Sequence, residues 1–218
     1  RDIVHQYCKG HPWARFGIDL CIGSEADQPI TQRQMMFAPF YLMDAFDGAQ
    51  IKGDSIQRPL ITANELIVDA TPEPDESDWM PTPLQCSLLL FILTAAATIY
   101  GIRRRTGLWG IDLFLFGIAG IVGCVLAFLA LFSQHPAVSS NFLLLVFHPG
   151  QLLFLPYIIY CVRKGKKCWY LTLNLIILTL FIVLFPVIPQ RFDFAVVPLA
   201  LVLLIRSASN LIVTSKKK

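Results

Sequence analysis

Arg206 sits in the run LALVLLIRSASN and is the one ionisable side chain plainly inside a long apolar stretch. Seating an Arg at mid-bilayer costs about 2.5–3.5 kcal/mol on insertion scales, so such a residue must face a partner or water. Side chains lean toward the amino end of their helix, which turns this one away from the nearer boundary. Asp112 lies about one turn into an earlier apolar run, counted from the same side, at a compatible depth. The two are expected to pair within a helix bundle, as a structural ion pair rather than a catalytic one.

Other side chains offer weaker chemistry. His135 and His148 fall at or near the opposite boundary, where a histidine can act as acid or base. A turn histidine bonded to backbone or water is the commoner case. Asp19, Glu25 and Asp27 precede the apolar runs, among turn formers, and can cap helices or orient a neighbouring segment. The four histidines (His5, His11, His135, His148) and six cysteines show no metal-ligand spacing, so no metal site is expected. Cys86, Cys124, Cys161 and Cys168 lie in or beside apolar runs, where a thiol behaves as a small hydrophobe. Cys8 and Cys21 can bridge in an oxidising compartment or pack separately, and both readings stay open. Phosphate loop, serine elbow and nucleophile–base pair are all missing from the pattern. No complete active site, cofactor or nucleic-acid partner is expected.

The elements that must hold these residues are mostly apolar helices. Of the 218 residues 55% are hydrophobic and 15% charged, with a mean hydropathy of +0.59. That is the composition of a membrane protein rather than of an ordinary soluble domain. The net charge of +3 averages two unlike halves: residues 1–80 carry 13 acidic and 6 basic side chains, residues 81–218 carry 2 and 12. The halves therefore live in different surroundings.

Five apolar runs, near 83–102, 108–132, 142–162, 168–188 and 194–214, are long enough for the roughly 20 helical residues a crossing needs. Arg103–Arg105, the cluster Arg163, Lys164, Lys166 and Lys167, and Lys216–Lys218 alternate with loops 133–141 and 189–193, which hold only Arg191 between them. Cationic segments stay cytoplasmic during insertion, so residues 1–80 and those two loops are expected to face outward, in the periplasm, with the tail 215–218 inside. Trp109, Tyr157, Tyr160, Trp169 and Tyr170 fit the inner boundary and Trp79 the outer one. Pro149, Gly150 and Pro156 should kink the third run, or leave a short surface helix at 142–147.

The fold class expected is mainly α: a five-helix transmembrane bundle preceded by a small α+β remnant of a periplasmic domain. Residues 1–70 form that remnant and 71–82 an acidic, Pro-rich linker. Residues 2–8 read as the end of a helix, and 12–23 as a helix or an aromatic-rich turn. Thr31 followed by Gln34 is a capping-box signature for a helix to about Phe46, bent at Pro39. PLITANELIVDA reads as two short strands around Ala63-Asn64. The start shows no signal-peptide pattern, so the chain reads as the later part of a longer exported protein.

The 31–48 helix is apolar over most of its circumference, through Met35, Met36, Phe37, Phe40, Tyr41, Leu42, Met43 and Phe46. It can be buried against a missing soluble domain or lie at the bilayer surface among acyl chains. The absence of a Lys-rich polar face counts against the second.

The stretch HPWARFGIDLCIGSEADQPITQRQMMFAPFYLMDAF resembles the segment after the catalytic core in a bacteroidete membrane protein family linked to lipoprotein N-acyl transfer, the Lnb type. RDIVHQYCKG looks like the helix before it. SQHPAVSSN followed by FLLLVFHPGQLLFLPY is similar to the family's loop between its second and third spans. The resemblance implies an amino-terminal periplasmic domain of papain-like type, with a His and a Cys as acting pair, both upstream of these residues. Nothing here matches those motifs, and Cys8 and Cys21 do not fill the gap. The implied partners are membrane phospholipid, lipid-modified protein substrates and the missing upstream domain. Trp13, Asp19, Asp27, Met36, Phe37, His135 and His148 are then candidate supporting or lipid-facing residues. A membrane-anchored cysteine peptidase or amidase of the envelope, and a non-enzymatic anchor, remain alternatives.

Overall fold

The computed structural model describes residues 1–53, 57–65, 67–68 and 80–215. Most of the expected linker, Trp79 and the Lys216–Lys218 tail lie outside the described residues.

The leading segment folds as four short helices and a hairpin: α1 (Asp2–Tyr7), α2 (Pro12–Cys21), α3 (Gln32–Met35), α4 (Pro39–Asp47), β1 (Gln50–Lys52) and β2 (Gln57–Pro59). Thr31 and Gln34 cap α3 reciprocally, Gln34 N–H donating to Thr31 Oγ1 and Thr31 N–H to Gln34 Oε1. The single bent helix expected over 31–48 is two helices. Ala38 is extended (φ −93°, ψ 130°), because the ring of Pro39 bars its predecessor from helical geometry. The strands lie before the expected pair, joined antiparallel with Ile51 opposite Arg58; residues 60–65 form no strand, and Leu66, Asp69 and Ala70 of the expected pair lie outside the described residues. Hydrophobic runs point to strands at 59–70, whereas the pairing joins Gln50–Lys52 to Gln57–Pro59.

The membrane part comprises α5 (Pro83–Arg104), α6 (Trp109–Phe132), α7 (Pro149–Leu153), α8 (Leu155–Lys164), α9 (Trp169–Leu184) and α10 (Val196–Ser215). Thr82 and Gln85 form a second reciprocal cap, with Pro83 in the first turn, where its missing N–H costs nothing. Arg105, in the left-handed region at φ 55°, ends α5. Phe116, Leu126, Ile158, Leu171, Leu178 and Phe181 fill the interior. Ile92, Phe114, Phe128, Phe132 and Val183 are exposed around the outside, so the bundle is apolar all round, as a bilayer requires. Gly120 and Gly123 let the backbones touch: a Cβ there would lie 2.5 Å from Leu152 N and from the His148 backbone.

Three helices, α5, α6 and α10, are individually long and apolar enough to cross a membrane. Helices α8 and α9 meet at 111° across their basic turn and satisfy the same test only as a pair; by length and composition the described residues thus give three spans, or four with that pair, and this count does not reach the expected five. The causes are local. Pro149 and Pro156 split the third run into α7 and α8, with a break at Phe154. Helix α9 stops just before Pro186; its 16 residues span about 24 Å at 1.5 Å each, short of a hydrocarbon layer of about 30 Å. At the basic end, Arg104, Arg163 and Lys166 lie over the rings of Tyr100, Trp109 and Tyr160 at 5.7, 5.2 and 5.2 Å.

Candidate functional site

The leading segment and the bundle meet along a polar seam. Gly23 N–H donates to Ala137 O at 2.8 Å, and Ser24 donates to Ser140 O from both N (3.3 Å) and Oγ (3.2 Å). Asn141 Nδ2 donates to Leu20 O at 2.8 Å, and Gln190 Nε2 donates to Ile22 O at 3.1 Å. Gln190 also donates to Asn141 Oδ1 and accepts from Phe142 N–H, locking loops 133–141 and 189–193 together. A Cβ on Gly23 would fall 1.8 Å from Ser139 O, so only glycine permits this approach. Trp13 adds a bond from Nε1 to Pro81 O at 3.0 Å, tying α2 to the start of α5.

Behind the seam lies a buried charge cluster. The Arg1 guanidinium reaches Asp19 Oδ1 through Nη1 at 2.7 Å and grips Asp27 through Nε (2.6 Å) and Nη2 (3.0 Å). His5 Nε2 sits 2.8 Å from Asp19 Oδ1, and Arg191 N–H donates to Asp27 Oδ2 at 2.9 Å. Burial opposes the charge on Arg1, but its bonds to Asp27 and Asp19 outweigh that and hold the guanidinium above its ordinary pKa. Arg191 also pairs with the exposed Asp2 at 2.6 Å, and that hydrogen bond holds the Asp2 carboxyl below its ordinary range.

Above this cluster opens a cleft of about 950 Å³, between α1–α2 on one side and the first turn of α5 with the α9–α10 turn on the other. Lys9 and Arg15 stand on its polar wall, and Leu84, Phe185, Phe192 and Phe194 line its apolar wall. Such a cleft can hold an amphipathic molecule. By itself it holds no nucleophile–base pair.

Within the bundle, the structure brings Asp112 and Arg206 together. Nε meets Oδ1 at 2.7 Å, Nη2 meets Oδ2 at 3.0 Å, and Nη1 donates to Thr98 Oγ1 at 3.0 Å. His148 packs against α6 and α9. Its backbone presses on Gly123, and its Nε2 is 3.3 Å from Asn174 Oδ1, whose Nδ2 donates to Ser207 Oγ at 3.0 Å. His135 spends Nδ1 on the Ala137 N–H in a turn. Met36 and Phe37 fall in the break between α3 and α4, where Phe37 is exposed and heads a surface with Phe40, Met43 and Phe46. Cys8 and Cys21 are free thiols.

Arg1, His5, Asn141, Asn174 and Gln190 were not singled out in the sequence. Asn141 and Gln190 bind mainly backbone carbonyls more than a hundred residues away, which leave no mark in local pattern.

No curated protein and no solved structure matches the chain. A family model described as the Lnb transmembrane domain matches residues 75–218, more than half of the chain and the whole of α5 to α10. Through that apolar bundle, the chain belongs to the Lnb family.

Proposed function

We propose that this chain is the membrane-anchoring and substrate-positioning part of a thiol-dependent lipoprotein N-acyltransferase at the outer face of the inner membrane. The anchoring role follows from the family match and the apolar bundle. The observation that carries positioning is the seam, where residues 20–24 are bonded directly to loops 133–141 and 189–193. A leading segment held this way has little freedom to swing away from the bilayer.

The alternation of cationic clusters supports an outward leading segment and an inward carboxyl end. By the resemblance, the acting thiol and its histidine lie upstream. A thiolate would take an acyl chain from a phospholipid as a thioester, then release it to the α-amino group of a lipid-modified cysteine, two easier steps in place of one. Both partners are confined to the membrane, so a site fixed at the surface gains in encounter and orientation over a tethered one. Mass spectrometry of lipoprotein amino termini from a strain lacking the gene tests this: loss of the N-acyl group is expected, and unchanged triacylation rejects it.

One observation favours a second reading. The space beside Asp112 and Arg206 is only about 10 Å³, too small for a ligand, and the large cleft lies above the spans rather than between them. An open groove at the end of the bundle also suits a membrane-anchored cysteine peptidase or amidase, or a plain anchor. Altered cell-wall fragments with intact lipoprotein acylation in the same strain would select the peptidase or amidase.

A further inference from the structure

The cleft at the end of the bundle has two unlike walls, and their placement matches a membrane lipid. Its more apolar wall carries Leu84 in the first turn of α5 and Phe185, Phe192 and Phe194 around the α9–α10 turn, a turn that also holds Arg191, paired with Asp2. Leu84 and Phe194 are 39% and 71% exposed, a large apolar surface with no protein cover among the described residues. These residues sit at the ends of α5, α9 and α10, so in a bilayer crossed by those helices the cleft lies at the level of lipid headgroups.

The charge on the opposite wall is not balanced at its surface. Asp19 and Asp27 line the cleft, but their side chains are only 3% and 9% exposed and both are spent on Arg1, itself 1% exposed. Asp193 accepts the Ala195 N–H at 2.8 Å, just before α10. What the wall presents outward is Lys9, which is exposed, and Arg15, 47% exposed, whose long 3.9 Å contact is to Asp19, a carboxylate already held closely by Arg1 and His5. Cationic groups facing an apolar wall at headgroup level suit one ligand class, an anion carried on acyl chains.

We infer that this cleft binds an anionic phospholipid, its phosphate at Lys9 and Arg15 and an acyl chain against Phe185, Phe192 and Phe194. The inference stands on the cleft alone and does not require acyl transfer. Its readout is binding, so it and the catalytic proposal can fail separately.

Native mass spectrometry of the full-length protein in detergent provides the test, titrating dioleoyl phosphatidylglycerol, diolein and sodium phosphate in separate arms. Phosphatidylglycerol should be retained, diolein should bind about tenfold more weakly, and phosphate should not displace the lipid. The paired change Lys9→Gln with Arg15→Gln should weaken phosphatidylglycerol about tenfold and leave diolein alone, while Arg33→Gln, an exposed change elsewhere, alters neither. Equal retention by the paired variant, equal binding of diolein, or displacement by phosphate alone would overturn the assignment. On the unaltered chain, a phosphatidylglycerol bearing a diazirine on its acyl chain should label the peptide covering 185–194. Labelling confined to the outer faces of α5 and α6 would also overturn it.

Discussion

Arg206 meets Asp112 in a two-point contact, Nε to Oδ1 at 2.7 Å and Nη2 to Oδ2 at 3.0 Å. The pair joins α10 to α6, and the Arg206 bond to Thr98 brings in α5. Three helices are thus fastened at one point by groups that are 1% and 3% exposed.

Breaking that contact from one side should be costly. Asp112→Ala or Arg206→Ala leaves a buried charge without its counterion, a loss of about 3–5 kcal/mol. The apolar double change Asp112→Leu with Arg206→Met removes both charges and should recover most of it. Thermal unfolding in detergent reads this directly. A double variant no more stable than either single one would mean the pair does more than fasten helices.

The seam should be sensitive to one methyl group. Gly23→Ala puts a Cβ 1.8 Å from Ser139 O, a backbone atom that cannot turn aside. Overpacking of this kind costs about 1–3 kcal/mol, so hydrogen exchange over residues 20–27 should quicken about tenfold while α5 and α6 stay protected. Gly17→Ala, inside α2 with nothing within 4 Å, should be neutral or stabilising. Equal exchange in the two variants would remove the seam as a rigid joint.

Burial pushes the Cys21 thiol above its ordinary pKa. Less of it is thiolate at pH 8, so maleimide labelling of a variant keeping Cys8 and Cys21 alone should be slow at Cys21 and speed up toward pH 9.5. Labelling at the rate of a small-molecule thiol would contradict this. Labelling that appears only after reduction would instead show a bridge to Cys8.

Legibility in the sequence followed the range of the interaction. Thr31 and Gln34 announce their helix because a reciprocal cap is local. The mainly helical class and the membrane character follow from apolar runs divided by cationic knots, and these also drew the eye to Asp112 and Arg206. The unbroken length of the helices did not follow: Pro149 and Pro156 cut one run and Pro186 shortened another, and hydropathy alone cannot weigh a break against a kink. The paired strands Gln50–Lys52 and Gln57–Pro59 are short and mostly polar, so they carry none of the apolar signal that marks a strand in sequence. Asn141 and Gln190 leave no local mark because they bond to each other and to backbone groups, among them the Leu20 and Ile22 carbonyls, that every residue carries.

Sidedness underlies the proposed meeting with outward lipid substrates, and cysteine accessibility measures it most directly. In a chain whose own cysteines are changed to Ser, Arg33→Cys and Arg104→Cys are made separately and treated with a membrane-impermeant maleimide. With the outer membrane opened and the inner one intact, Arg33→Cys should label at once and Arg104→Cys only after lysis. The reverse pattern would put the leading segment in the cytoplasm and contradict the account.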